Sequence, residues 1–140
     1  MAWRPQTLND NLRTMRILYC TFVLSVFLYE FSAEQIGPEP NKANPIFVIG
    51  LAVVSLAIVI IALGLRRKYV GSAEETLRLS PDNPTALGRW RVGQILSLAL
   101  AESVALYGLA LRLTGTPFKV AAPFYVGAIV LMALWWPQRP

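Results

Sequence analysis

An all-α integral membrane protein of four spans, arranged as two tandem helical hairpins, is the fold class this sequence predicts. Three observations carry that prediction: the apolar composition, the lengths of the apolar runs, and a self-similarity at one fixed offset. Of the 140 residues 55% are hydrophobic, and the mean hydropathy is +0.49, more apolar than one soluble core needs. Apolar runs at about 17–33, 45–65, 92–113 and 120–136 each approach the roughly 20 residues that cross about 30 Å of hydrocarbon. Sliding the chain by 78 residues aligns "RILYCTFVLSVFLYEF" with "QILSLALAESVALYGL". Ser25 then meets Ser103, Tyr29 meets Tyr107, Arg13 meets Arg91, Gly37 meets Gly115 and Pro45 meets Pro123.

Each hairpin has an even number of spans, so both sit in the same orientation, as a parallel repeat. The expected divisions are a first hairpin over 1–66, a basic loop over 67–90 and a second hairpin over 91–140. Gly37 and Gly115 fall where each odd span ends, which suits a left-handed helix terminus. Pro45 and Pro123 are expected to open the even spans, where a missing N–H costs nothing. In the loop, "SAEE" at 72–75 has the capping-box pattern and predicts a short surface helix through Leu79. "SPDNP" interrupts it, and Asn83 with Pro84 then caps a helix running into the third span.

Charge sets the expected topology. Ten basic residues (Arg4, Arg13, Arg16, Arg66, Arg67, Lys68, Arg78, Arg89, Arg91 and Arg139) lie on one side of the spans, against Lys42, Arg112 and Lys119 on or near the other. By the positive-inside rule both termini and the middle loop are cytoplasmic, in a bacterial-type inner membrane. Glu30, Glu34 and Glu39 cluster on the outer side. Trp90, Trp135, Trp136 and Tyr69 sit where an aromatic belt is expected. The net charge of +5 flanks spans and forms no nucleic-acid-binding face, so no nucleic acid partner is expected. With one cysteine, Cys20, and no histidine, no internal disulfide, histidine-based metal set, cofactor or catalytic triad is expected, and an enzyme is not.

The residue that carries chemistry is Glu102, the twelfth of 23 residues between Arg91 and Leu113 and so near the bilayer centre. Desolvation disfavours a charged carboxylate there, and a group whose charge depends on its surroundings is what proton translocation uses. At about 100° per residue, Leu98, Ala99, Ala105, Leu106 and Leu109 share its face, with Gln94 and Arg112 on the margin. Ser97, Ala101, Ala105 and Gly108 form a small-residue stripe for close helix approach. Ser103 and Tyr107 in the second hairpin, and Ser25 and Tyr29 in the first, are hydroxyl pairs able to serve the acid across an interface. Leu24 occupies the position equivalent to Glu102.

"LALAESVALYGLALRLTGTPF" resembles the carboxylate-bearing helix of rotary ATP synthase subunit c and the vacuolar-type proteolipids, through Glu102, Tyr107 and Gly108 in an Ala/Leu background. The resemblance covers about 21 of 140 residues and implies that Glu102 binds a proton or monovalent cation. The second span, with only Gly50 and Gly64, departs from that family's glycine-rich partner helix. Two readings follow. In the first, this is a small accessory subunit of a larger membrane complex or a homo-oligomer, with Glu102 fixing a helix interface. In the second, Glu102 is the ion-binding carboxylate of a pathway built by oligomerisation. A third, by analogy with small dimeric multidrug exporters of four short spans, ranks below both.

Overall fold

The computed structural model describes residues 7–37 and 44–138. Arg4, Glu39, Lys42 and Arg139, which entered the charge count, lie outside them. The chain forms α1 (Leu8–Ile36), α2 (Pro45–Arg66), a π-helical turn (Arg67–Gly71), α3 (Ser72–Leu79), α4 (Pro84–Leu113) and α5 (Phe118–Leu134). Three helical stretches, Leu8–Ile36, Pro45–Leu79 and Pro84–Leu113, are long and apolar enough to cross a membrane, and α5 is a shorter apolar helix of 17 residues.

Local chemistry sets most of the ends. Thr7 and Asp10 close a capping box at the start of α1: Thr7 Oγ1 accepts from the Asp10 N–H, and the Asp10 carboxylate accepts from the Thr7 N–H. Gly37 and Gly115 follow α1 and α4 with φ of 54° and 79°, the left-handed endings expected of them. A Cβ at Gly37 would meet only the Glu34 carbonyl at 3.8 Å, so Gly37→Ala isolates the backbone cost. It is expected to lower stability by about 1 kcal/mol, read as the thermal midpoint in detergent. Asn44 and Asn83 cap α2 and α4 through their side-chain oxygens, with Pro45 and Pro84 next in line.

Two expected starts are corrected. Ser72 caps nothing: its hydroxyl donates to the Lys68 carbonyl, because the chain passes from α2 through the π-turn into α3 without leaving helical geometry. The N–H groups that a capping box would satisfy already have helical partners. Pro123 does not open a span either. It lies inside α5, which begins five residues earlier after Pro117, so Pro45 and Pro123 hold different helical positions despite their common register.

Helix α4 is the axis of the fold: α1, α2 and α5 all pack on it, and α1 also touches α5. Helices α1 and α2 meet α4 rather than each other, so the first pair of long helices is closed through α4 and is not a self-packed hairpin. A long apolar helix without a strong one-sided pattern is suited to burial on several sides, and α4 is that helix. The main core joins Tyr19 and Val26 of α1, Leu98, Ala101 and Ala105 of α4, and Phe124, Ala128 and Met132 of α5. A second core, at the end bearing the π-turn, joins Leu12, Met15, Val70, Leu77, Leu87 and Trp90. The expected surface helix and basic loop are therefore packed structure. Trp90 is fully buried there, not part of an aromatic belt, because α3 folds back over α4.

Candidate functional site

Polar side chains tie α1 to α4 at three levels. Their partner pairs advance together along both helices, from Tyr19–Gln94 through Ser25–Glu102 to Glu34–Arg112, so α1 and α4 run in the same direction.

At the middle level, Tyr29 Oη donates to Glu102 Oε1 at 2.5 Å and Ser25 Oγ lies 2.7 Å from the same oxygen. Ser25 Oγ is also 2.7 Å from the Phe22 carbonyl of its own helix. Ser25 and Tyr29 are one turn apart on α1, which is why both reach one carboxyl group. Glu102 is partly buried.

The second hydroxyl pair does not join them. Ser103 Oγ donates to the Ala99 carbonyl of its own helix at 2.9 Å, and Tyr107 packs partly buried against the main core. Ser97 is fully buried and donates to the Gly93 carbonyl. Gln94 stands two turns from Glu102, about 12 Å along the axis, and belongs to a different cluster. Of the small-residue stripe, Ala101 and Ala105 are buried, and Gly108 lies against α5, where a Cβ would come within 3.1 Å of the Tyr125 ring.

The end cluster around Gln94 was not visible in the sequence. Gln94 Oε1 accepts from Arg66 Nη1 at 3.1 Å and lies 3.1 Å from the Tyr19 hydroxyl, which also donates to the Trp135 carbonyl. The Arg66 guanidinium stands 5.9 Å from the Trp135 ring centroid. Trp135 is thus buried by its contacts, while Trp136 stays partly exposed, edge-on to Tyr19.

At the opposite end Arg112 Nε pairs with Glu30 Oε1 at 3.1 Å, Nη2 pairs with Glu34, and Nη1 donates to the Thr116 carbonyl at 3.2 Å. The Tyr125 hydroxyl lies beside Glu30. Glu30 and Glu34 are spaced i, i+4 on α1, and Arg112 is the one cation in the apolar stretch of α4; that spacing is a signal that could have pointed to the pairing, which was not read from the sequence.

Comparison with known families, with curated proteins and with solved structures finds no match for this chain.

Proposed function

We propose that this is a small four-span membrane accessory subunit, working within a homo-oligomer or a larger membrane complex, in which Glu102 acts as a helix clasp. The observation that carries this reading is the convergence of Ser25 and Tyr29 of α1 on Glu102 of α4. Lipid gives no hydrophobic drive for helices to associate, so interhelical hydrogen bonds and close packing hold them together. Two other polar side chains of α4 are spent likewise on neighbouring helices, Gln94 on Tyr19 and Arg66, and Arg112 on Glu30 and Glu34. The parallel course of α1 and α4 supports the tandem-repeat reading. The basic π-turn end is the cytoplasmic one in this proposal, with both termini inside a bacterial-type inner membrane.

A proton or cation pathway of the subunit c kind is the second reading, and one observation favours it. Ser25 and Tyr29 bring two hydroxyl protons to three short contacts, with the Phe22 carbonyl and twice with Glu102 Oε1. Two hydroxyls gathered on one carboxylate oxygen in the middle of α4 are the kind of polar shell a proton or cation site uses.

Glu102→Gln and Glu102→Leu separate the two. The clasp predicts that Gln, which keeps an acceptor for Ser25 and Tyr29, retains the thermal midpoint. Leu, which strands the Tyr29 hydroxyl, is expected to cost about 1–3 kcal/mol. Proteoliposomes should then show no proton flux above background. Proton flux through the wild type that is abolished by Gln, with a carboxyl infrared band that titrates, would move the assignment to the pathway. A Leu variant as stable as the wild type would end the clasp reading.

A further inference from the structure

At the π-turn end a cavity of about 280 Å³ opens beside Trp135, lined among others by Leu63, Arg66, Arg67, Gly71 and Glu74. We propose that it seats the phosphodiester headgroup of a monoanionic glycerophospholipid, its phosphate held by Arg66 and Arg67.

Position is the first argument. The body of α2 is apolar from Pro45 through Leu65, and Arg66 is its first charge, so the cavity straddles the level where hydrocarbon gives way to headgroups. Leu63 and the indole of Trp135 supply the apolar wall, and Arg66 and Arg67 the polar lip. Indole is suited to that boundary, with one part apolar and one end wet.

Pre-organisation is the second. Arg66 is held by Gln94, which is 1% exposed, and by the Trp135 ring, and among the described hydrogen bonds it spends one of its five N–H donors. Its ordering cost is met in the fold before any ligand arrives. Arg67 is exposed beside it, at the first position of the π-turn. The wider turn carries Val70 inward to the second core while leaving Arg67 at the surface, and π-turns recur at functional sites for this kind of re-aiming. Gly71 leaves that wall open, since a Cβ there would meet nothing within 4 Å.

Charge selects the ligand class. Two guanidinium groups against the Glu74 carboxylate leave one net positive charge, which a headgroup of charge −1 neutralises and a zwitterionic one does not. Guanidinium forks match phosphate oxygens geometrically, and Glu74 is placed to accept from a headgroup hydroxyl. A polyol headgroup such as glycerol fits both.

The test uses the full chain in nanodiscs, with native mass spectrometry of retained lipid and quenching of Trp135 by brominated phosphatidylglycerol, Trp135→Phe being the blank. Phosphatidylglycerol is expected to be retained over phosphatidylcholine and phosphatidylethanolamine by about tenfold or more. Arg67→Gln, at an exposed position, should lose about fivefold of that preference, and Arg66→Gln/Arg67→Gln should lose most of it. Arg78→Gln, which removes an equal charge from α3, should change it less than twofold. An equal loss in Arg78→Gln would mean diffuse surface attraction and overturn the site. Displacement of the lipid by millimolar inorganic phosphate would keep the phosphate chemistry but overturn the lipid assignment. Equal retention of all three lipids would overturn the proposal outright.

Discussion

Arg112→Ala is expected to destabilise the protein by about 3 kcal/mol, the low end of the cost of breaking a buried ion pair. The Arg112 side chain is 13% exposed and serves Glu30, Glu34 and the Thr116 carbonyl at once. Its removal leaves the Glu30 carboxylate, 23% exposed, without its cation, and next to a Tyr125 hydroxyl that is itself buried. Glu34, at 61%, can rehydrate, which is why the low end applies. The same change frees the Gly37 end of α1 from α4, where no other cation of α4 lies nearby. A double-mutant cycle makes the cause visible: Glu30→Gln placed in the Arg112→Ala background should return part of the loss, because it removes the stranded charge. Thermal midpoints of the four proteins in one detergent suffice. If Glu30→Gln adds its own loss to that of Arg112→Ala, the ion pair is not what holds this level together.

A second large effect is expected at Gly93→Val, again about 3 kcal/mol. A Cβ at Gly93 would fall 2.7 Å from Val70 Cγ2, 2.9 Å from Tyr69 Cβ and 3.2 Å from the Val70 nitrogen. The last two are not the free ends of flexible chains, so the π-turn itself must move away from α4. Val also lacks the helix propensity that would offset part of this for Ala. Gly88→Val on the same helix is the control, since a Cβ there meets nothing within 4 Å, and it should cost less than about 1 kcal/mol. Equal midpoints for the two variants would show that α4 and the π-turn are not in close contact. Loss of the Trp90 environment in Gly93→Val, seen as a red-shifted emission, should accompany the destabilisation, because Trp90 and Val70 share the second core.

Much of the backbone plan was legible in the residues. Gly37 and Gly115 end their helices in the left-handed region, and Asn83 with Pro84 starts α4, because these are local events settled by side chains within a few positions. The apolar runs announced the long helices for the same reason: length and composition decide whether a segment is able to cross a membrane. Glu102 announced itself by contrast, one acid in an apolar stretch.

What local pattern could not decide was which groups meet. Ser25 with Tyr29 and Ser103 with Tyr107 are the same pair at the same spacing, yet one reaches Glu102 and the other stays with its own helix and the core. The difference lies in α1 packing beside the acid's face of α4, a choice made by whole-helix packing. The Ser72 capping pattern was overridden because α2 arrived already helical, and Trp90 was buried because α3 folded back. The sequence by itself determined helices, their ends and an acid among apolar residues, since those follow from interactions within a turn or two. Only the tertiary structure decided that α4 is the axis, that Ser25 and Tyr29 are the acid's partners, and that Arg66 is held beside Trp135. Those pairings join residues 28 to 77 positions apart, where loop closure and packing, not local propensity, set the outcome.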